Sequence, residues 1–166
     1  MSSRKEEILV TFRKKFGFIP NGYKEMARSL PILELFSAAE TPLADGSFLQ
    51  GEQAAIALSV AASNEDSYGM SLHAKHALEL GVAKQDVEAI RELKEPGNLR
   101  LADLTNATWM LMAKKGRVST EQLQWLEEVG LTRDMVYELV AIIARETASN
   151  YVNGIARTRV DTELSG

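Results

Sequence analysis

The chain contains no cysteine among its 166 residues. This absence excludes disulfide bonds, thiolate nucleophiles and zinc–thiolate sites together. Long apolar runs are also missing. The longest apolar-leaning stretch covers residues 54–62, far short of the ~20 residues that span a bilayer. The sequence therefore predicts neither thiol chemistry nor a membrane segment.

Charge of one sign is nowhere concentrated in this sequence. Lys and Arg are scattered, blocks of like charge are absent, and the net charge is −4, which argues against a nucleic-acid binder. Residues 1–5 are polar and lead into a helical pattern, without the apolar core or the cleavage site of a secretory signal. We therefore expect a cytoplasmic protein.

The rest of the composition is that of an ordinary globular protein, with 45% hydrophobic and 25% charged residues. A chain of this length can bury a sizeable core in one compact unit. We therefore expect residues 1–166 to form a single domain.

Helical periodicity runs through nearly the whole sequence, and no segment alternates convincingly as a strand would. Ser3 with Glu6, and Ser119 with Gln122, match the capping-box pattern that opens a helix. The predicted helices cover about residues 4–16, 23–30, 31–36, 50–63, 66–80, 84–94, 101–116, 119–130 and 133–158, and residues 41–46 are predicted as a loop. The predicted fold class is therefore all-α, with about 7–9 helices.

Two of the predicted helices have unusual faces. Residues 50–63 carry small apolar side chains on nearly every face, which is typical of a helix buried on most sides and also suits a subunit interface. The last helix has a predicted apolar stripe made of Val136, Leu139, Val140, Ile143, Thr147 and Tyr151, with Asn150 lying on it. A buried Asn needs hydrogen-bond partners, so we expect Asn150 to hold a turn or to face a subunit boundary.

Residues 64–81 read NEDSYGMSLHAKHALELG. Asn64, Tyr68, His73, Ala77 and Gly81 fall in register with the pattern N-x-C-x-Y-C-x-x-x-H-x-x-x-A-x-x-x-G. This pattern resembles the signature of the alkylhydroperoxidase D (AhpD)-like and carboxymuconolactone decarboxylase superfamily. The likeness extends over most of residues 16–161, with the signature segment at 50–81, and it implies an AhpD-like helical domain. It also implies a homo-oligomer, a trimer or a trimer of dimers.

The sequence departs from that pattern at the positions that carry redox chemistry. Asp66 and Gly69 stand where the superfamily signature has its two cysteines. Ala54 falls where the proton-relay Glu usually sits, and Glu52 lies about 200° away around the same helix. The resemblance implies that redox-active members use a thiol relay, in which a Glu–His pair moves protons. Only His73 of that set is kept here.

His73 has two interpretations. It is either a general acid–base group near neutral pH or a histidine that only makes structural hydrogen bonds. His76, one turn further on, would be a metal ligand only with additional partners, and no ligand pattern of known spacing is completed. We therefore predict no metal and no cofactor.

Asp66 and Tyr68 are the other candidate catalytic residues. The Asp66 carboxylate would act as a base or a substrate anchor, or else it caps the helix N-terminus. Tyr68 would donate a hydrogen bond to a substrate oxygen, or else its ring packs between helices. Gly69 lowers helix stability by about 1 kcal/mol relative to Ala, so either a close approach by a neighbour or drift after the loss of cysteine would account for it.

The sequence leaves three functions open. The first is non-redox acid–base chemistry around His73 on a small carboxylate or lactone-like substrate. The second is a non-catalytic oligomeric protein that binds or organises other molecules. The third, alkylhydroperoxidase activity, is what similarity alone suggests, but peroxidatic catalysis of that kind needs a thiolate, which this chain lacks. Neither nucleic acid nor membrane is an expected partner.

Overall fold

The computed structural model describes residues 3–164 and is helical throughout its ordered elements. Ten α-helices follow one another, and no strand occurs within residues 3–164. They are α1 (Arg4–Phe16), α2 (Asn21–Met26), α3 (Leu30–Ala38), α4 (Glu40–Ala44), α5 (Gln50–Ser63), α6 (Ser67–Glu79), α7 (Lys84–Arg91), α8 (Leu99–Lys114), α9 (Thr120–Glu128) and α10 (Arg133–Ala156). A short 3₁₀ turn, Thr162–Leu164, follows α10. The all-α prediction is confirmed.

The helix ends follow the caps that the sequence predicts. Ser3 and Ser119 each form a reciprocal capping box with the residue three positions on. Gly17 ends α1, and Gly130 lies in the turn that follows α9. Both glycines have a φ of 78°, where an L side chain would be strained. At these four helix ends, local sequence chemistry is sufficient to place the boundary.

The short helix α4 lies in a stretch that the sequence predicts as a loop, so that prediction is wrong. Pro42 falls in the first turn of α4, where its missing N–H group breaks no intrahelical bond. Glu40, the first residue of α4, is bound by Lys15 and Arg145 from α1 and α10. Contacts between distant parts of the chain therefore hold a turn that the local sequence only weakly favours.

Helix α5 is the centre of the molecule. Ala55, Ile56, Leu58, Val60 and Ala61 have no exposed surface, and α6, α7, α8 and α10 all pack against α5. Its small side chains allow these four neighbours to approach closely. The prediction that residues 50–63 are buried is confirmed. The suggestion that they also suit a subunit interface is wrong, because the chain itself covers them.

The apolar stripe predicted for α10 is partly wrong. Val140 and Tyr151 are 44% and 63% exposed, whereas Ile142, Glu146 and Asn153 face the interior. The predicted stripe mixes residues from the buried face of α10 with residues from the exposed face beside it. The mistake arises because polar residues occupy the buried face in the second half of this helix. Those polar residues have partners on other helices, as described below.

Buried side chains form two apolar clusters that meet at the candidate site. The larger cluster surrounds α5, and the smaller one joins Phe12, Tyr23, Met26, Leu33 and Phe36 from α1–α3. The rings of Phe12 and Tyr23 lie 4.0 Å apart. Within the described part of the chain, no helix is both long enough and apolar enough to cross a membrane.

Candidate functional site

A partly enclosed cavity of about 130 Å³ lies between the two clusters. Helices α1, α2, α4, α5, α6 and α10 supply its walls. Part of the lining is apolar and includes Phe16, Leu43, Ala54, Ala57, Leu72 and Ile142. The same helices also supply a charged and titratable wall, made of Lys15, Glu40, His73, His76, Arg145 and Glu146. An apolar cavity with a few converging polar groups is the usual form of a small-molecule site.

His73 and Glu146 form the central pair of this wall. The Nε2 atom of His73 lies 3.0 Å from Oε2 of Glu146, and the two side chains are 12% and 1% exposed. Burial alone would raise the pKa of Glu146, but the nearby His73 and Arg145 outweigh it and the net pKa is lowered. Glu146 is therefore a carboxylate at neutral pH and accepts a hydrogen bond from His73.

Arg145 links that pair to the outside of the molecule. Its guanidinium group contacts Glu146 at 3.2 Å and is also paired with Glu40, while it stacks at 4.0 Å over the ring of Phe36. Burial alone would lower the pKa of Arg145, but the charges of Glu146 and Glu40 raise it overall. Lys15, whose side chain is 42% exposed, contacts Glu40 at 2.8 Å. Opposite charges thus alternate from the surface to the buried imidazole.

His76 lies one helical turn beyond His73 on the same wall. The ring edge of Phe16 meets it with the centroids 6.5 Å apart. Burial lowers the pKa of His76, and the neighbouring Lys15 and His73 lower it further. His76 is therefore neutral at pH 7. Among residues 3–164, no group of three or more His, Cys, Asp or Glu side chains is arranged to hold a metal ion.

Asp66 lies in a different part of the molecule and does not line the cavity. It caps α6 by accepting a hydrogen bond from the Tyr68 N–H at 3.2 Å. Its Oδ2 atom also accepts from the side-chain amides of Asn150 and Asn153 at 2.9 and 2.8 Å. Asn150 in turn accepts a hydrogen bond from Asn64 at 3.0 Å. The structure therefore gives Asp66 the capping position and gives the buried Asn150 its partners.

Tyr68 also lies outside the cavity wall. Its hydroxyl group donates a hydrogen bond to Asp161 at 2.8 Å. Burial is the main reason that the pKa of Tyr68 is raised, and the hydrogen bond to Asp161 adds to it. Tyr68 stays protonated and ties α6 to the segment after α10. Of the three candidate catalytic residues predicted from sequence, only His73 lines the cavity.

The network around Asp66 explains the glycine inside α6. A Cβ atom on Gly69 would lie 2.5 Å from Asp66 Oδ2 and 3.0 Å from Asn150 Nδ2. It would also lie 3.1 Å from Ala61 on α5. Of the two explanations that the sequence leaves open for Gly69, the structure shows the close approach. A hydrogen-bonded network of Asp66, Asn150 and Asn153 fills the space beside positions 66 and 69.

Sequence reasoning missed Glu146, the partner of His73. Neither Ala54 nor Glu52 supplies this carboxylate, since Glu52 pairs with Arg100 at 2.9 Å. The carboxylate comes instead from α10, 73 residues away along the chain. The sequence pattern of α10 does indicate this residue, because Glu146 follows the buried positions Leu139 and Ile142 at helical spacing. A charged residue in step with a buried stripe is a candidate for a buried ion pair.

The arrangement of the helices defines an AhpD-like fold. No protein-family model matches the sequence, and comparison with curated proteins finds no match. Solved structures match at 17–20% identity, which establishes the shared fold.

Three of these structures cover almost all of the chain. An AhpD-core, uncharacterized peroxidase-related protein from Ralstonia eutropha JMP134 is 20% identical, with a TM-score of 0.87 over 99% of this chain and 88% of its own. An uncharacterized peroxidase-related protein from Silicibacter sp. TM1040 is 17% identical, with a TM-score of 0.81 over 97% and 86%. The debrominase Bmp8 is 18% identical, with a TM-score of 0.79 over 98% and 88%.

Proposed function

We propose that the protein catalyses proton transfer on a small molecule without thiol chemistry, using His73 as the general acid–base group. The observation that carries this proposal is the His73–Glu146 pair on the wall of a small, partly enclosed cavity. A buried carboxylate that orients an imidazole is a recurring device of acid–base catalysis.

The charge state of Glu146 determines which nitrogen of His73 is basic. Because Glu146 is a carboxylate with a lowered pKa, it accepts a hydrogen bond from the Nε2–H group of His73. A neutral imidazole with its proton on Nε2 keeps its lone pair on Nδ1. Nδ1 would then take a proton from the substrate. Glu146 would stabilise the imidazolium ion that results, and His73 would return the proton to the product.

The remaining charges favour a substrate with one anionic or carbonyl oxygen. Arg145 is held by two carboxylates, Glu40 and Glu146, so it is occupied by protein partners. Among residues 3–164, Lys15 has Glu40 as its one ion-pair partner, and it is partly exposed at the cavity. Lys15 would therefore bind the oxygen of a small carboxylate or lactone-like molecule while the apolar part of the lining contacts its carbon atoms.

Solvent-proton exchange tests this proposal. The carbon beside the carbonyl group of small carboxylates and lactones is followed in D₂O by NMR, with wild type, His73→Gln and Glu146→Gln. General acid–base catalysis contributes about 10²–10⁴-fold, so we expect His73→Gln to lose exchange by that factor. Glu146→Gln should lower kcat more than it changes KM, because it acts through the imidazole.

Glu52→Gln is the matched control, since Glu52 also sits in an ion pair but does not line the cavity. We expect it to exchange at the wild-type rate. Equal exchange by wild type and His73→Gln would remove His73 as the catalyst.

A second function is non-catalytic binding. It is favoured by the hydrogen bonds that hold Asp66 to Asn150 and Asn153, because they engage this carboxylate within the protein, whereas the cavity beside His73 offers space for a small ligand. Chemical-shift changes at His73 with the same molecules, in the absence of any exchange, would support binding without turnover.

A further inference from the structure

The side chain of Tyr23 is buried, yet its hydroxyl group has no partner in the protein. Tyr23 lies on the short helix α2, is 4% exposed and lines the cavity that contains His73. Within residues 3–164, no group forms a hydrogen bond with this hydroxyl. It is not sealed off either, unlike the buried and unpartnered Nε1 atom of Trp109. The hydroxyl group of Tyr23 therefore opens into the cavity.

Three aromatic rings hold the ring of Tyr23 in place. Its centroid lies 4.0 Å from that of Phe12, 5.5 Å from that of Phe36 and 5.6 Å from that of Phe16. Aromatic pairs at these distances stabilise one another beyond the area that they bury. A ring that is packed on several sides keeps its hydroxyl group in a fixed position, which is the property of a preorganised donor.

The hydroxyl group lies within reach of the charges that surround His73. Burial is the main reason that the pKa of Tyr23 is raised well above its ordinary value of 10.0. Arg145 opposes this rise, and the carboxylates of Glu40 and Glu146 add to it. Tyr23 is therefore protonated at neutral pH. It can donate a hydrogen bond, but it does not release its proton.

Three other donors in the cavity lining are already used within the protein. Arg145 is held by two carboxylates, and the Nε2–H group of His73 donates to one of them. The side-chain amide of Gln53 donates to two backbone carbonyl groups, at 2.7 and 2.9 Å. A buried polar group without a partner costs free energy. A ligand oxygen in the cavity would supply the partner that Tyr23 lacks.

We propose that the Tyr23 hydroxyl group binds the carbonyl oxygen of the substrate, and that the substrate is a neutral carbonyl compound such as a lactone rather than a carboxylate. The catalytic part of this assignment rests on the function proposed for His73. As Nδ1 of His73 takes the proton from the carbon beside the carbonyl group, the electron pair of that C–H bond moves onto the carbonyl oxygen. The hydrogen bond from Tyr23 strengthens as negative charge grows there. The imidazolium ion then returns the proton to carbon, and the carbonyl group forms again.

The surroundings of Tyr23 favour an uncharged carbonyl group over a carboxylate. A carboxylate loses its hydration when it enters a buried site and needs a positive charge in return. Arg145 offers little, because Glu40 and Glu146 already engage it. A neutral carbonyl oxygen needs only a donor, which the hydroxyl group supplies. The proton beside a carboxylate is also harder to remove, since the product would hold two negative charges close together.

The carbonyl stretching frequency of bound γ-butyrolactone, isotope-labelled at its carbonyl carbon, tests the proposal. A hydrogen bond to the oxygen lowers this frequency. We expect the same lowered value in wild type and in His73→Gln, and a higher value in Tyr23→Phe. Affinity for the lactone should fall about three- to tenfold in Tyr23→Phe, the net worth of one hydrogen bond. Solvent-proton exchange of the lactone should fall more, by about 10²-fold, because the donor acts mainly on the charge that develops during the reaction.

Butyrate is the matched probe, since it is a carboxylate with the same number of carbon atoms. We expect wild type to bind it more weakly than the lactone, and Tyr23→Phe to bind it as wild type does. Tyr151→Phe is the matched variant, because it removes the same atom from an exposed ring. It should keep the wild-type frequency, affinity and exchange rate.

Urea unfolding separates binding from a structural role of the hydroxyl group. Tyr23→Phe should unfold at the wild-type urea midpoint or above it, because the substitution keeps the ring and breaks no hydrogen bond within the protein. A lowered midpoint would show that the hydroxyl group serves the fold, and would overturn the proposal.

The remaining outcomes distinguish this proposal from the acid–base function. An unchanged carbonyl frequency in Tyr23→Phe overturns it, as does a wild-type protein that binds no lactone or binds butyrate more tightly. If exchange requires His73 but proceeds at the wild-type rate in Tyr23→Phe, the acid–base function stands and the role of Tyr23 is overturned. If wild type shows no exchange while the carbonyl frequency depends on Tyr23, the acid–base function fails and the binding role of Tyr23 is supported.

Discussion

At the scale of single residues, the most consequential position is Gly69. Inside a helix, glycine is about 1 kcal/mol less favourable than alanine, so its presence needs a cause. The cause is steric: Asp66, Asn150 and Ala61 fill the space that a Cβ atom would occupy. The carboxylate of Asp66 can cap α6 and bind two amides only because Gly69 leaves room for it.

Gly69→Ala should therefore destabilise the protein despite the better helix propensity of alanine. Overpacking in a tight site costs typically ~1–3 kcal/mol, against a propensity gain of about 1 kcal/mol. We expect a net loss in the free energy of unfolding, measured by urea titration. Gly154→Ala is the control, since it is helical with no atom within 4 Å of the added Cβ, and it should stabilise by a few tenths to about 1 kcal/mol.

A double variant separates the steric cause from a general effect of the substitution. Adding Gly69→Ala to Asp66→Ala should cost less than adding it to wild type, because the carboxylate that makes the shortest contact is gone. If Gly69→Ala costs as much in that background as in wild type, Asp66 is not what requires the glycine.

At the scale of elements, local chemistry predicts most of the helices but not all of them. Ser3 and Ser119 open their helices and Gly17 ends α1 through short-range hydrogen bonds and backbone conformation, so the sequence contains what is needed. Helix α4 was missed because its first residue, Glu40, is held by side chains from α1 and α10. Such contacts depend on the tertiary fold and leave no local pattern.

The same limit applies to the candidate site. His73 was predicted from the signature pattern on α6, which is local. Glu146 completes the pair from α10, and no spacing rule connects positions 73 residues apart. Asp66 and Tyr68 lie close to His73 in sequence, yet they face a different network. Proximity along the chain predicted a shared site for residues that the fold separates.

Tyr68 ties α6 to the segment after α10, and its hydroxyl group can be removed alone. Tyr68→Phe should cost about 0.5–1.5 kcal/mol, the usual net value of a buried hydrogen bond. Asp161 still accepts a hydrogen bond from the Asn21 N–H group at 3.0–3.1 Å in this variant. The segment after α10 should therefore become more mobile without unfolding. Hydrogen–deuterium exchange should rise at residues 158–164 and stay unchanged in α5.

Tyr151→Phe is the matched control for that experiment, because it removes the same atom from an exposed ring. We expect no change in exchange at residues 158–164. Unaltered exchange in Tyr68→Phe would mean that other contacts hold this segment.

At the scale of the whole molecule, acid should destabilise the fold in two stages. The pKa of His76 is lowered below its ordinary value of 6.5, first by burial and then by Lys15 and His73. The unfolded chain therefore binds this proton before the folded chain does, and stability falls as the pH drops below 6.5. Glu146 acts lower. Its folded pKa lies below 4.5, so its contribution is present above that pH and is lost as the pH falls through the folded value.

Urea unfolding at pH 7.5, 6, 5 and 4 measures this dependence in wild type, His76→Gln and Glu146→Gln. His76→Gln should flatten the curve between about pH 7 and 5, and Glu146→Gln should flatten it below about pH 5. If the free energy of unfolding of His76→Gln depends on pH above pH 5 as that of wild type does, then folding does not lower the pKa of His76.

The crowding around Gly69 makes a pair of cysteines at positions 66 and 69 hard to introduce one at a time. Placing cysteine at 69 first would drive its Cβ atom into the Asp66 carboxylate. Placing cysteine at 66 first would leave the amides of Asn150 and Asn153 without their acceptor. Either single substitution should give a less stable protein than the starting one, so a dithiol at these two positions would require several substitutions together.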